Sequence, residues 1–267
     1  TTLANLGDTG NVFTITVADD SVAAAALSTL DGKTTGLITV TGSTLTGTKT
    51  EVDAALGIAS TAVAGLDSIA ATLSGTHTVA EANATSALTT GAITATISTT
   101  DLATLGNINE TGNVYTITVA DGSVDAATVN VLNAKTTGVV TLSATTVSGS
   151  LSDIKTLYEA NTAGEVSGLG NETVSISDTG SISAADLNTV NGLTTGVITA
   201  TGVTTLTGTL SEIKTAYAAG SAGTISGLGN EAISVTDTGV ISSTDLSDLK
   251  ALTTGTVTVS LSGTSVA

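Results

Sequence analysis

Three Asp-Thr-Gly triplets are the residues of this sequence that come nearest to a catalytic signature. They begin at Asp8, Asp178 and Asp237, and Glu110 stands in the corresponding place of a fourth copy. A pair of such carboxylates, brought together, shares one proton and can activate water for hydrolysis. The same carboxylates, together with backbone carbonyl groups at repeated turns, could instead bind calcium. Both chemistries require several of these groups to lie close together.

The positions of the triplets favour a structural role over hydrolysis. The triplet resembles the signature of aspartic proteases, but its copies occupy equivalent places of a repeated sequence, and a repeat fold separates equivalent residues along its axis. We therefore interpret the triplets as turns that end strands. Calcium stays open as an alternative, although the glycine-rich nonapeptide of calcium-binding β-roll repeats is absent. We assign no metal-binding residue from the sequence.

The remaining candidates for catalysis are single residues without partners in the sequence. His77 is the one histidine, and no pattern of Ser, Asp or metal ligands is repeated around it, so we interpret it as a surface residue. Tyr158 and Tyr217 occupy equivalent places 59 residues apart, which predicts packing on one face of a helix. No nucleophile, base and orienting residue occur together. We therefore predict no enzyme, and no catalytic or cofactor-binding residue.

The composition indicates a thin, regular interior and a strongly acidic surface. Of the 267 residues, 40% are hydrophobic but only 1% are aromatic, and the chain has no Pro, Cys, Met or Trp. A core of Ala, Val, Leu and Ile suits a narrow interior of stacked coils. The net charge of −17 argues against nucleic acid or an anionic membrane as a partner. Since no apolar run has the length of a transmembrane helix, and no signal segment is recognisable at Thr1, we expect no membrane insertion.

The sequence repeats itself at two periods, which is the signature of a repeat architecture. The phrase GLGNETVSISDTG (168–180) returns 59 residues later as GLGNEAISVTDTG (227–239), and GNVFTITVAD (10–19) returns 102 residues later as GNVYTITVAD (112–121). These registers divide the chain into long repeats at about 37–91, 92–138, 139–196 and 197–255, with incomplete units at both ends. The tripeptide TTG occurs five times, ending at Gly36, Gly91, Gly138, Gly196 and Gly255.

Each long repeat contains strand patterns and helix patterns in alternation. Apolar residues that alternate with Thr or Ser predict strands with one buried face, and apolar residues at helical spacing, as at Leu210, Ile213 and Tyr217, predict short helices. A Ser or Thr followed three residues later by Asp or Glu precedes seven helical stretches, a capping-box pattern that is strictest where the acid is Glu. The seven pairs are Thr48 with Glu51, Thr78 with Glu81, Ser98 with Asp101, Ser150 with Asp153, Ser183 with Asp186, Thr209 with Glu212, and Ser242 with Asp245.

Together these patterns predict an α/β repeat solenoid of about ten coils, with parallel strand ladders, a short helix in most coils and no terminal caps. We expect a single elongated solenoid over residues 1–267, with the glycines of TTG, DTG and LTG turning the chain. A doubly wound α/β domain is the alternative fold. The short helices, the repetition and the lack of large core residues disfavour it.

Threonines separated by one residue recur on the predicted strands. Because alternate residues of a strand share one face, the two members of each pair should face outward together. Strand propensity and solvation account for such threonines, while a surface of aligned threonines that binds ice is a further alternative function. The pairs are Thr14 with Thr16, Thr94 with Thr96, Thr116 with Thr118, Thr199 with Thr201, and Thr256 with Thr258.

The chain resembles the repeats of very large, low-complexity surface or secreted proteins of bacteria, especially marine cyanobacteria. The phrases that carry the resemblance are TTGVITATGVTTLTGTLSEIKTAYAAGSAGTISGLGNEAISVTDTG and SAADLNTV, and the resemblance covers almost the whole chain. The phrase SAADLN is also similar to shaft repeats of phage tail fibres over a short stretch. The resemblance implies an extracellular or cell-surface protein with a structural or adhesive role.

The repeat pattern is incomplete at both ends, which leads to a prediction about assembly. If the end of one copy met the start of another, the internal order of TTG, strand and TGNV[FY]TITVA would be regenerated. We therefore expect copies to associate head to tail into an extracellular filament through uncapped ends, a heterologous contact that need not close. The alternative is a stalk segment of a giant cell-surface adhesin, in which the same seam is covalent.

Overall fold

A computed structural model shows an α/β chain in which short helices alternate with parallel strands. The structure describes residues 6–7, 9–58, 62–239 and 241–259. We use the word coil for the stretch of chain between a residue of one strand and its partner in the next strand of the same ladder. From Ile15 to its partner Ile38 this stretch is 23 residues. The sheets are parallel and the arrangement is solenoid-like, which confirms the predicted fold class.

The helices and strands of the described residues are short, and most helices directly follow a strand. The helices are α1 Ala24–Asp31, α2 Lys49–Gly57, α3 Val79–Ser86, α4 Leu102–Leu105, α5 Ala126–Asn133, α6 Leu151–Ala163, α7 Ala184–Leu193, α8 Leu210–Ala222 and α9 Ser243–Leu252. The strands are β1 Ile15–Val17, β2 Ser21–Ala23, β3 Ile38–Val40, β4 Thr44–Gly47, β5 Val63–Ala64, β6 Ala70–His77, β7 Ile93–Ile97, β8 Val114–Val119, β9 Ser123–Asp125, β10 Val140–Leu142, β11 Thr146–Gly149, β12 Val166–Ser167, β13 Thr173–Ile176, β14 Ser181–Ser183, β15 Ile198–Thr199, β16 Thr205–Gly208, β17 Ile225–Ser226, β18 Ala232–Val235 and β19 Val257–Val259.

The chain divides into two compact units. Unit 1 comprises Thr1–Val119 and Leu132–Thr141, and unit 2 comprises Ala120–Val131 and Leu142–Ala267. In unit 1, β1, β3 and β5 form one ladder, and β2, β4, β6, β7 and β8 follow one another in a second. In unit 2, one ladder has the order β9-β11-β13-β15-β17 and the other has the order β14-β16-β18-β19.

The core of each unit is a set of columns in which equivalent aliphatic residues of successive strands stack. In unit 2, Val124, Val147, Val174, Ile198 and Ile225 pair strand by strand and are all buried. β-Branched side chains fit this stacking because they pack closely on a pleated surface. Within the described residues, no helix combines the length and the apolar character needed to cross a membrane.

Helix starts agree with six of the seven predicted caps. Thr48, Thr78 and Thr209 form complete capping boxes with their glutamates, and Ser150, Ser183 and Ser242 accept the amide of the aspartate three residues later. Full reciprocity occurs where the acid is Glu, because the longer side chain reaches back to the cap amide. The pairing of Ser98 with Asp101 is wrong. Asp101 is itself the N-cap of α4 and accepts the amide of Thr104 at 2.9 Å.

Candidate functional site: contacts between successive coils

The first threonine of each TTG tripeptide is buried and ties its coil to the preceding one. Its hydroxyl donates to a backbone carbonyl 20 to 22 residues earlier, for example from Thr34 to Phe13 at 2.9 Å and from Thr253 to Glu231 at 2.6 Å. Its lone pairs accept the amide of the TTG glycine at 2.9–3.0 Å. A single hydroxyl thereby satisfies groups of two coils. The five residues are Thr34, Thr89, Thr136, Thr194 and Thr253.

The second threonine of each tripeptide adds a backbone hydrogen bond across the same joint. Its side chain is exposed, but its amide donates to a carbonyl of the preceding coil at 2.8–2.9 Å. We call the TTG tripeptide with these bonds the clasp. The five amide-to-carbonyl pairs are Thr35 to Asn11, Thr90 to Asp67, Thr137 to Asn113, Thr195 to Gly170, and Thr254 to Gly229.

The glycine of the clasp is required by close approach. A Cβ on Gly36, Gly91, Gly138, Gly196 or Gly255 would lie 1.9–2.4 Å from a carbonyl oxygen of the preceding coil. None of the five has a positive φ, so a left-handed turn is not what selects glycine here. The sequence suggested that these glycines turn the chain; the structure shows that they let two backbones touch.

Each clasp binds the backbone of one equivalent residue, and we call this residue the clasp acceptor. The five clasp acceptors are Phe13, Ile69, Tyr115, Glu172 and Glu231. The three in unit 1 are hydrophobic and the two in unit 2 are acidic. Four of them are buried, including both glutamates at 2% exposure, whereas Phe13 is 42% exposed.

The phrase GLGNE folds into a turn that encloses its own glutamate. The Glu172 carboxylate accepts the amides of Gly170 at 2.9 Å and Asn171 at 3.0 Å, together with the hydroxyl of Tyr158 on α6. Gly168 and Gly170 have positive φ values, which aims successive amides into one concavity that suits an anion. The buried charge is therefore satisfied by hydrogen bonds.

The second copy of the phrase makes the same arrangement. Glu231 accepts the amides of Gly229 at 2.8 Å and Asn230 at 3.1 Å and the hydroxyl of Tyr217 on α8. Burial, followed by the adjacent glutamate carboxylate, raises the pKa of Tyr158 and of Tyr217 well above the usual range of a phenol. The predicted packing role of the two tyrosines is confirmed. Their bonds to buried glutamates were not predicted.

Unit 1 has an apolar counterpart of the tyrosine–glutamate pair. Tyr158 lies eight residues after its N-cap Ser150, and the residue eight after the N-cap Thr48 is Leu56. The clasp acceptor that follows is Ile69, so a buried Leu and Ile stand where unit 2 has Tyr and Glu. Since apolar residues serve at this joint in one unit, we interpret the pair as a joint between elements and not as a reactive centre.

The aspartates of the DTG triplets also act at helix starts. Asp178 follows β13 and accepts the amide of Leu151, the first residue of α6, at 2.7 Å. Asp237 follows β18 and accepts the amide of Leu210, the first residue of α8, at 2.6 Å. A carboxylate at a helix N-terminus is favoured by the free amides and the helix dipole. The strand-ending interpretation is therefore confirmed for these two, and each serves its own helix; Asp8 lies outside the described residues.

The fourth member of that set, Glu110, is exposed and belongs to a different environment. It lines an open cleft of about 540 Å³ in unit 1 together with Asp67 and Asn113. In the part of the chain that the structure describes, no group of three or more His, Asp or Glu side chains could hold a metal ion. Calcium binding therefore stays an untested alternative without a ligand set.

The interpretation of His77 as a surface residue is wrong. His77 ends β6 and is 6% exposed, with its Nε2 atom 3.1 Å from the carbonyl oxygen of Ser74. The register of β6 against β7 shifts between Thr72 and Thr76. This irregularity is accompanied by pairing of His77 with Ile97, and the imidazole is buried as a result.

Helices of neighbouring coils are joined by asparagine and lysine side chains. The Asn83, Asn130 and Asn188 amides donate to the carbonyls of Asn107, Asp153 and Glu212 at 2.8–2.9 Å. Lys214 on α8 lies 2.8 Å from Asp245 on α9, and this ion pair raises the pKa of Lys214 and lowers that of Asp245. Exposed pairs of this kind add little stability individually.

Some of the predicted threonine pairs do align across strands. Thr96 pairs with Thr76 on one side and with Thr116 on the other, and Thr94 pairs with Thr72. These five threonines lie on three strands of unit 1 and form two rows, one of three residues and one of two. The shift of register in β6 lies between the two rows. Ice binding by such rows stays a prediction.

Comparison of the chain with protein-family models, with curated proteins and with solved structures finds no match. The arrangement that recurs through both units is the clasp, with the tyrosine–glutamate pair added in unit 2. We therefore take the contact between successive coils as the candidate functional feature of this molecule.

Proposed function

We propose that the chain is a structural protein, the subunit of an extracellular filament in which copies assemble head to tail. The observation that carries the proposal is the clasp, which occurs five times in the described residues with the same bonds. Each clasp uses backbone groups of the preceding coil, so it depends on the coil's geometry and little on its side chains. A coil of a second copy can therefore present the same partner groups.

The charge of the molecule supports assembly at ends over assembly at sides. With a net charge of −17, copies repel one another wherever acidic surfaces would face each other. Parallel strand pairing at a free edge is short-ranged and directional, so it can outweigh this repulsion where two free strand edges meet. The cell-surface location in the proposal is supported by the resemblance of the repeats to bacterial surface proteins.

The second candidate is a stalk segment of a giant adhesin. The same clasp supports it, because an identical joint would connect coils along one continuous chain. The two candidates differ in whether separate 267-residue chains associate. That difference can be measured directly.

The test is electron microscopy of the purified chain over a range of concentrations, with the intact mass measured on the same sample. The proposal predicts filaments that dissociate on dilution into chains of 25.7 kDa. Adding salt should lengthen them, because screening reduces the repulsion between acidic copies. Chains that stay monomeric at every concentration and salt would overturn the filament and leave the stalk.

A further inference from the structure

An exposed apolar surface lies shortly before β1, at the edge of the first ladder of unit 1. Val12 is 78% exposed and Phe13 is 42% exposed, and β1 stands at the edge of the ladder β1-β3-β5. The equivalent residues 102 positions later are Val114, 37% exposed, and Tyr115, fully buried. The same sequence phrase is thus covered in one place and uncovered in the other.

The cover at the second place is β7. Thr94 pairs with Val114, Ala95 with Tyr115, and Thr96 with Thr116. Beside this pairing, the amide of Ile93 donates to the Oδ1 atom of Asn113 at 2.7 Å. Asn113 has a counterpart in Asn11, since each forms an isolated parallel bridge with the first threonine of the following clasp.

A strand of the same type as β7 stands at an edge of unit 2. The stretch TTGTVTV (253–259) matches TTGAITA (89–95), so Val257, Thr258 and Val259 in β19 correspond to Ile93, Thr94 and Ala95. Ile93 and Ala95 are buried, whereas Val257 and Val259 are half-buried. β19 is the edge of the ladder β14-β16-β18-β19. Within the described residues, no strand covers the side chains of β19 as β8 covers those of β7.

We infer that β19 of one copy pairs in parallel with Val12 and Phe13 of a second copy, the two residues shortly before β1, in the register of β7 with β8. Thr258 then lies beside Val12 and Val259 beside Phe13, and the amide of Val257 donates to the Oδ1 atom of Asn11. The pairing buries the Phe13 ring as the Tyr115 ring is buried. This inference rests on the proposed filament and gives it a defined joint.

The test uses cysteine pairs, for which the chain is suited because it has no Cys. One preparation carries Val12→Cys and another carries Thr258→Cys, and the two are mixed under mild oxidation. Neighbouring strands place paired side chains within disulfide reach. The expected result is a cross-linked dimer that forms in the mixture at least tenfold faster than in either preparation alone.

Two controls use the same chemistry. A chain with both Thr94→Cys and Val114→Cys should close an internal disulfide, because these residues are paired in unit 1. A mixture of Val131→Cys with Thr258→Cys should cross-link slowly, since Val131 is exposed on α5 and takes no part in the predicted pairing. A further variant, Phe13→Ser, should shorten the filaments by removing the apolar side chain that the joint covers.

The outcomes test the predicted joint separately from the proposed filament. Filaments that form normally while the mixture of Val12→Cys and Thr258→Cys cross-links no faster than the Val131→Cys mixture would overturn the joint and keep the filament. Chains that neither assemble nor cross-link, although the internal Thr94–Val114 control closes, would overturn both. Filaments with selective cross-linking, shortened by Phe13→Ser, would support both.

Discussion

Glu172 and Glu231 are unusual because a carboxylate is buried where other coils place an apolar side chain. Isolated buried charges are costly, and these are tolerated since each accepts two backbone amides and a tyrosine hydroxyl. The repetition of GLGNE showed that the phrase has a structural requirement. It could not show that the glutamate turns inward, because Glu is an exposed residue in most sequences and its partner Tyr158 lies 14 residues away.

Replacing the hydroxyl of Tyr158 should be costly, whereas the same change at Tyr115 should not. Tyr158→Phe leaves the buried Glu172 carboxylate without one of its donors, and we expect a loss of about 2–3 kcal/mol in the free energy of unfolding. The Tyr115 hydroxyl is buried near Ser86, but within the described residues it makes no hydrogen bond of good geometry. Tyr115→Phe should therefore be neutral or stabilising by up to about 1 kcal/mol.

Urea unfolding of the two variants, monitored by circular dichroism, measures this difference. Equal losses for both variants would mean that the Tyr158 hydroxyl stabilises the fold no more than the Tyr115 hydroxyl, which would contradict its role as a donor to Glu172. A double variant, Tyr158→Leu with Glu172→Ile, copies the Leu56 and Ile69 of unit 1. It should recover part of the stability that Tyr158→Phe loses, because no unpaired charge remains.

Alkaline pH should unfold the protein because all three tyrosines are held protonated in the fold. Burial raises the pKa of Tyr115, Tyr158 and Tyr217 above their unfolded value of about 10. Above that pH the unfolded chain loses protons that the folded chain keeps, so stability is intact below pH ~10 and falls as the pH rises further. The fall should reach about 1.4 kcal/mol per pH unit for each tyrosine.

Absorbance at 295 nm, which reports tyrosinate, measures this directly alongside circular dichroism. We expect no phenol ionisation while the fold is intact, and then a single step in which ionisation and unfolding coincide. Tyrosines that titrate near pH 10 in the folded protein would contradict the burial of their hydroxyls.

Among the structural elements, the clasp illustrates what sequence patterns can and cannot specify. The five TTG tripeptides were visible, and glycine and threonine pointed to a turn. The bonds of the buried threonine were not predictable, because they reach 20 to 22 residues back and depend on how coils stack. The helix caps were predictable since a cap and its partner lie three residues apart. The error at Ser98 arose because Asp101 can cap by itself.

Gly192 and Gly196 lie four residues apart and should respond to alanine in opposite ways, because only Gly196 lies against another backbone. A Cβ at Gly196 would lie 1.9 Å from the Glu172 carbonyl oxygen, whereas nothing lies within 4 Å of a Cβ at Gly192 in α7. Gly196→Ala should therefore lower the free energy of unfolding by about 3 kcal/mol through backbone displacement. Gly192→Ala should raise it by about 0.5–1 kcal/mol, because alanine favours a helix.

Thermal and urea unfolding of both variants provide the measurement. If Gly196→Ala were as stable as the parent chain, the coils could not approach as closely at the clasp as the structure shows. If Gly192→Ala lost stability, the added methyl group would be meeting a neighbour, which would contradict the open space around Gly192 in α7.

For the molecule as a whole, the fold class followed from periodicity and the individual joints did not. Alternation of Thr with Val or Ile predicted strands such as β8, and the 59-residue register predicted equivalent elements in unit 2. The core columns follow from that alternation, since one face of each strand is aliphatic. The position of His77 was missed because a shift in register depends on strand pairing and not on local sequence.

The central claim is that the hydrogen bonds of the clasps join successive coils, and backbone hydrogen exchange at the clasps tests it most directly. The amides of Thr35, Thr90, Thr137, Thr195 and Thr254 belong to exposed residues in bends, but each is bonded to the preceding coil. We predict that these five exchange as slowly as core strand amides such as Ile117 and Ile198, because opening them requires two coils to separate. Exchange at the rate of ordinary exposed loops, with the core strands still protected, would contradict the clasp as the joint between coils.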